Sequence, residues 1–362
     1  MSESFDIAVV GGGAAGIAAA VSSARAGCKT LLLDRRPAAG GTGGFSGLTT
    51  MCGLFDSEGE WLNNGFTREF AEQLAAGPPR QMGRVWALPY RPERFRALAA
   101  NMLASAPNLE TRWNTPLAGV TAQQGRVTSL NGLEIGAVID CSGTAEVARS
   151  INAPCMETDE TTQAPAVVFQ LSGVQREWDS PAAAARDLLP LARAGMPPLN
   201  FQPGPDPGTV TVKFTGPPEQ APEVIESLRA KVHGFEKCQA ARAEFQEAHR
   251  AGRMIIGQYI LTGADVLAGR KFPDAAARCA WPVEQWSADG RARFRYLPKG
   301  VHYEIPARSL CAVHARNLFM AGKTISADAD GIASARVMGC CLATGAAAGQ
   351  LAAERLTLSG TR

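Results

Sequence analysis

The most restrictive feature of the sequence is a glycine-rich turn set between a short apolar run and an alanine-rich one. Residues Asp6 to Val10 lead into Gly11-Gly12-Gly13-Ala14-Ala15-Gly16, and Ile17 to Arg25 then reads as a helix stopped at Gly27. Strand, tight turn and helix in that order aim free backbone N–H groups and the positive end of a helix dipole at one point, which suits a pyrophosphate. Gly11 permits the tight turn, Gly13 lets the backbone approach the phosphates, and Gly16 lets the helix lie close on the strand. The next apolar run, Lys29 to Leu33, ends at Asp34, eighteen residues beyond Gly16 and close to the roughly twenty expected of an acid that holds an adenosine ribose. A bound dinucleotide is therefore expected.

A second glycine-rich stretch, Gly40-Gly41-Thr42-Gly43-Gly44, follows Arg35 and Arg36. Such a loop wraps the far side of a pyrophosphate and reaches toward a ribityl chain, which favours FAD over NAD. The two arginines would suit a 2′-phosphate, but Asp34 repels that group. The expected FAD contacts here are Gly11, Gly13, Ala14, Ala15, Gly16, Asp34, Arg35, Gly41 and Thr42.

Composition limits what else the chain does. Its 362 residues are 46% hydrophobic and 19% charged with a net charge of +2, so it can bury a sizeable core, carries no charged tail and is not built for nucleic acid. No apolar run reaches the roughly eighteen residues of a membrane span. Glu3 and Asp6 precede a strand where a secretory signal would be basic and apolar, and a cytoplasmic location is expected. Nine cysteines without C-x-x-C spacing read for the most part as reduced thiols packed as small core residues, and four dispersed histidines give no metal motif.

Three separated blocks resemble the FAD-dependent oxidoreductases of the glutathione-reductase-like superfamily, with a layout like that of p-hydroxybenzoate hydroxylase. The first is Val9 to Gly44. The second is Gly136 to Glu146, in which Asp140-Cys141-Ser142-Gly143 resembles the family's strand ending in an Asp-x-Ser-Gly turn. The third combines Tyr303 to Leu310, Asn317 to Lys323 and Asp330 to Gly339, running on to Ala353. The resemblance implies that Ser142, Gly143 and Gly322 pass beside FAD. It also implies a final helix starting at Asp330-Gly331-Ile332, with its N-terminus facing the flavin N1 and C2 oxygen, where negative charge collects on reduction. Lys323 stands where many relatives carry Asp. The implied fold is α/β: a Rossmann-like FAD domain of three layers around a parallel sheet, made from residues 1–155 and 301–362, with an inserted α+β substrate domain over 156–300. The residues of that insert agree, since Pro165 to Leu171 and Thr209 to Phe214 read as strands between proline-rich turns. Ala221 to Ala251 reads as a long helix with Val224, Leu228, Val232 and Phe235 on one side.

The catalytic cleft is expected between the two domains. His302 suits either a general base near neutral pH or an idle loop position. Arg308 suits either holding a substrate carboxylate or tying the closing strand to a neighbouring acid. Cys52 suits either the flavin face or a buried inert thiol, and Arg253, Tyr259, Arg278, Trp281 and Glu284 are further candidates to line the cleft. The expected activity is an FAD-dependent dehydrogenase or oxidase that moves a hydride from a small amine, alcohol or saturated carbon to flavin N5. A flavin monooxygenase, and an FAD-binding subunit active only with a partner, are the alternatives. Thiol–disulfide chemistry is disfavoured because the Cys340 and Cys341 side chains diverge on a helix. Expected partners are a small-molecule substrate and either a second copy of the chain or an electron acceptor.

Overall fold

Side chains along the strand Ser4–Val10 alternate between two apolar layers: Ile7 and Val9 pack with one, Ala8 and Val10 with the other. A strand covered on both faces belongs at the centre of a parallel sheet, and the computed structural model, which describes residues 3–159, 163–177, 183, 186–240 and 247–358, places it there. Leu109–Arg112, Thr30–Leu33, Ser4–Val10 and Leu133–Asp140 lie side by side in that order, all parallel. The outer edge of Leu133–Asp140 is shared. The hairpin Val120–Gln123 and Arg126–Leu130 pairs antiparallel with its start, and Leu318–Met320 pairs parallel with its end.

Helices Ala14–Arg25, Phe66–Leu74, Pro92–Ser105 and Met338–Leu358 cover one face of the sheet. The hairpin and the short helix Glu146–Ser150 cover the other. This is the three-layer Rossmann-like architecture expected. The first and last of the four helices cross backbone to backbone, since a Cβ at Gly345 would lie 2.1 Å from the Ala15 carbonyl oxygen.

A second, antiparallel sheet places Ala166–Ser172 beside Val210–Phe214, which pairs in turn with Leu199–Pro203. Gln239–Ala240 and Glu247–Ala248 pair along the other edge of Ala166–Ser172. Val167, Phe169, Leu171, Val210, Val212 and Phe214 share a core with the helix Ala221–Lys231. Strand alternation turns Gln170, Thr211 and Lys213 to the opposite face. That face meets the segment following the second glycine stretch. The Thr49 and Thr211 hydroxyls are 2.5 Å apart, and Thr50 Oγ1 donates to Gln202 Oε1 at 2.9 Å.

One expectation is corrected. The helix expected over Ala221 to Ala251 ends at Lys231, Val232 is already extended, and Gly234 at φ +89° turns the chain. Val224, Leu228, Val232 and Phe235 are still buried together, so the spacing marked a core and not one continuous helix. Residues 241–246 of that stretch lie outside the described residues. Seven of the nine cysteines are free thiols, as most were expected to be, and Cys279 and Cys340 form a disulfide with their Cα atoms 6.1 Å apart. No single helix among the described residues is long and apolar enough to cross a membrane.

Candidate flavin site

The first glycine turn is a close fit of backbone on backbone. Gly11 has φ +104°, and a Cβ there would lie 2.6 Å from the Cys141 carbonyl oxygen. At Gly16 a Cβ would lie 1.7 Å from the Gly11 oxygen, so the helix carrying Ala14 and Ala15 can start only from glycine. Gly13 differs: a Cβ there would have only Gly41 Cα within 4 Å, at 3.9 Å, and would otherwise project into open space. The two glycine turns meet beside it, where Gly40 N donates to the Gly12 carbonyl at 2.9 Å, and their open side forms a cradle.

Its walls extend what the sequence implied. Asp34 Oδ2 accepts from Gly12 N at 2.5 Å and Oδ1 from Arg36 N at 2.7 Å, which fixes the carboxylate at the end of its strand. Arg35 is exposed and pairs with Glu146 at 3.7 Å. It is Arg36 whose guanidinium comes within 3.9 Å of the Cβ position of Gly41. Trp113, absent from the sequence-based candidates, lies 2.8 Å from the Cβ position of Gly12 and walls the Asp34 side. Its signal was available in principle, as the residue following the strand that pairs with Thr30–Leu33. Thr42 is exposed on the short helix Gly41–Phe45.

The second block folds around the buried Asp140. Its Oδ1 accepts from Ser142 Oγ at 2.6 Å and its Oδ2 from Val147 N at 2.9 Å. Burial raises its pKa, and these donors oppose that. The Ser142 hydroxyl also accepts from Glu146 N at 3.0 Å, so this side chain builds the turn. Gly143 presents its open side to Lys323, whose Cε is 3.0 Å from the Cβ position. Gly322 completes the closure: its N–H donates to Thr344 Oγ1 at 3.1 Å, and a Cβ there would press on Ala15 at 2.9 Å.

The closing block behaves differently beyond this point. The strand Tyr303–Pro306 pairs with Ala275–Cys279 and not with the parallel sheet. His302 therefore lies among Lys271, Arg278, Glu304 and Asp56, where burial and the neighbouring cations lower its pKa. Arg308 donates to both oxygens of Asp274, at 3.0 and 3.2 Å, which is the strand-tying role. The structure does not bring His302 and Arg308 together with Cys52. Nor is there one final helix. Ala329–Ala335 is capped by Asp328, whose Oδ1 accepts from Gly331 N at 2.7 Å, and the chain bends 97° before Met338–Leu358. Asp330 pairs with Arg295 and accepts from Gln285 at 2.8 Å, Gly331 abuts Leu261, and Ile332 joins the core beside them.

A cluster of deeply buried charged side chains lies between the polar face of the second sheet and the Cys52 strand. Glu284 Oε2 accepts from Trp281 Nε1 at 2.7 Å and Oε1 from Trp286 Nε1 at 2.5 Å. Burial pushes this carboxyl up, but Arg336, the two indoles and Arg250 outweigh it and hold its pKa below the usual value. Arg336 Nη2 donates to Gln163 Oε1 at 2.9 Å, whereas its buried Nε has no partner. Arg250 donates to the Ala164 carbonyl at 2.5 Å and lies 4.3 Å from the Trp286 ring centroid. Burial pushes the Cys52 thiol up to about 12, so it stays protonated at neutral pH. Of the other sequence-based cleft candidates, Arg253 pairs with Glu157, Tyr259 with Asp265, and Arg278 with Glu304 and Asn63. Lys213, Arg250 and Arg336 were not among those candidates. Lys213 was legible from the alternation in Val210–Phe214.

Burial, then Arg336, lowers the Lys323 pKa from 10.5 to about 8. A cation disfavoured in the fold means that the unfolded chain binds more protons between those two values. Stability therefore rises with pH through that window, and the cost is fully present below it. Lys323→Met in FAD-stripped protein is expected to gain on the order of 3 kcal/mol at neutral pH. Denaturant unfolding of both proteins as the pH is raised past 10 should show the difference closing, and a constant difference would place the cause elsewhere.

With this geometry in view, the comparisons with known proteins are direct. The model of the family described as FAD dependent oxidoreductase matches residues 6–196 and 199–358. The chain belongs to this family. It is an FAD-dependent oxidoreductase, and FAD is its cofactor. No curated protein matches it in sequence. Among solved structures it is similar to a geranylgeranyl bacteriochlorophyll reductase-like protein from Thermoplasma acidophilum, at 14% identity and TM-score 0.53, covering 99% of this chain and 80% of that one. GidA from Aquifex aeolicus gives 13% and 0.56 over 98% of this chain and 64% of that one. The p-nitrophenol 4-monooxygenase of Pseudomonas putida gives 11% and 0.51 over 100% and 82%. At these identities the likeness is one of fold. The residues fit FAD on their own account: two glycine turns in contact leave an open side that a Cβ at Gly13 would enter, and a buried Arg336 Nε has no partner among the described residues.

Proposed function

We propose that the chain is a dehydrogenase or oxidase that takes a hydride from a small organic substrate held between the polar face of the inserted sheet and the flavin end of the cradle. The observation that carries this reading is the buried charged cluster on the inserted sheet. Polar groups of that sheet are turned toward the segment leaving the second glycine turn, and charged side chains gather there. FAD supplies the two-electron acceptor. The first glycine turn, with Gly13 and Gly16, and Gly41 opposite it would hold the pyrophosphate, Asp34 the adenosine ribose, and Trp113 the adenine side. Gly143 and Gly322 would let the chain pass close to the flavin half.

Oxidation of an alcohol or amine carbon also releases a proton. Lys323 Nζ, brought to about 8 by burial, takes it in the share of molecules whose amine is neutral, a share that grows as the pH rises toward 8. Cys52 is too weak an acid to serve as a nucleophile, and its role is to close the cleft. The inserted sheet excludes water from the reacting atoms. The same arrangement supports membership of the glutathione-reductase-like superfamily, with an insert bounded near residues 155 and 300.

Anaerobic mixing of the FAD-loaded protein with small amines, alcohols and hydroxy acids tests the reading. Loss of the visible flavin absorption on adding one of them is the expected result. If none bleaches the flavin, while a reduced nicotinamide does and oxygen is then consumed with hydroxylation, the protein is a monooxygenase instead.

A further inference from the structure

The cleft holds more positive charge than the described residues around it neutralise. Lys213, Arg250, Arg336 and Lys323 form a chain of mutually influencing cations, and Glu284 is the carboxylate that acts on the first three. Arg336 and Lys323 flank the cradle side. Lys213 and Arg250 belong to the inserted sheet: Lys213 points from the strand Val210–Phe214, and Arg250 follows the short strand Glu247–Ala248. Both lie deep in the protein yet keep accessible surface, as groups lining a crevice do. The Lys213 ammonium has no hydrogen-bond or ion-pair partner among the described residues. Arg250 has its guanidinium face beside Trp286 and spends Nη1 on the Ala164 carbonyl.

Buried cations left without a counter-charge are strongly unfavourable, so a site that gathers them is built to receive an anion. The cofactor's own charge does not meet the need. It resides in the pyrophosphate, and the glycine cradle that suits a pyrophosphate is made by other residues than the inserted sheet. We propose that Lys213 and Arg250 form a carboxylate-binding site, and hence that the protein oxidises a small organic acid. This rests on the dehydrogenase or oxidase reading above. A monoanion fits better than phosphate, because Glu284 beside both cations repels a dianion more strongly. A planar guanidinium with free edge donors matches a carboxylate in shape as well as charge. Anchored there, the acid is held by the inserted sheet while its reacting carbon is left toward the flavin side of the cleft.

The test is calorimetric binding of acetate, glycolate and benzoate to the FAD-loaded protein, each beside its amide and beside inorganic phosphate, with the flavin spectrum followed in parallel. At least one acid binds while its amide does not, and phosphate binds more weakly. Lys213→Ala and Arg250→Ala each raise the Kd for that acid by about tenfold or more, the scale of one charge-assisted contact. Lys213→Arg stays within a few-fold of the natural protein, and FAD content is unchanged throughout. If no acid binds, if the amides bind as tightly, or if phosphate binds tightest, the carboxylate site is wrong. The acid-against-amide comparison uses the unaltered protein, so a variant that misfolds does not blunt it. The two readings also fail separately. An uncharged alcohol that bleaches the flavin with no acid bound removes this inference alone. Acid binding with no bleaching by any organic substrate keeps the site and removes the dehydrogenase.

Discussion

Gly13→Val yields a folded protein that retains no FAD. The backbone at Gly13 has φ −80° and ψ −172°, which valine adopts readily, and the nearest atom to a new Cβ is Gly41 Cα at 3.9 Å. The branched side chain therefore has room in the empty protein and covers the open side of the turn, where a pyrophosphate would approach the backbone. An affinity loss of at least about a hundredfold, near 3 kcal/mol, is expected. The melting temperature of the FAD-stripped variant should match that of the stripped natural protein. Gly16→Val is the contrasting case, because its Cβ would lie 1.7 Å from the Gly11 oxygen. That clash is with backbone, so the stripped protein itself should lose roughly 3 kcal/mol or more. FAD released on heating, counted per chain, and thermal melting separate the two. One FAD per chain in Gly13→Val would mean that the pyrophosphate does not lie against the open side of Gly13.

Glu284→Ala is expected to cost about 3 to 5 kcal/mol, the range for removing one partner of a buried charge cluster. The substitution leaves two indole N–H groups without acceptors and Arg336 and Arg250 without their carboxylate. The pH dependence adds a signature. The folded-state pKa is lowered from 4.5, so this stability is fully present above that value and is lost as the pH falls through the lower, folded one. The natural protein should lose stability on acidification in that range, and the variant should show a shallower slope there. Equal slopes, or a loss under about 1 kcal/mol, would show that Glu284 is solvated and does not hold the cluster together.

The parts of this molecule that the sequence revealed are those written locally. A glycine turn is dictated by contacts a few residues away, so the strand Ser4–Val10, the helix Ala14–Arg25 and Asp34 could be read in order. The strand Ala166–Ser172 was equally legible from its own alternation. What depended on which edge a strand would join was not. Tyr303–Pro306 and Leu318–Met320 look alike in sequence, yet one pairs with Ala275–Cys279 and the other with Leu133–Asp140. That choice carries Arg308 to Asp274 and Gly322 to Ala15. The cationic cleft was harder still, because Lys213, Arg250 and Arg336 are far apart in the chain and ordinary one at a time. Only Glu284 and Trp281 were singled out beforehand, and without the partner that joins them to Arg336. The disulfide between Cys279 and Cys340 was hidden for the same reason.

The pairing of Leu318 with Val138 has a consequence for how the protein is made. A ribosome completes the first glycine turn well before the strand that finishes the sheet and the helix that roofs it, which emerge only after the whole inserted segment. Until then the growing chain carries the outer face of Ala14–Arg25 bare, an apolar surface facing a crowded solution while the insert is made. The nucleotide pocket is begun first and closed last, so newly made chains depend on chaperones, or on FAD itself arriving late, more than their final compactness would indicate.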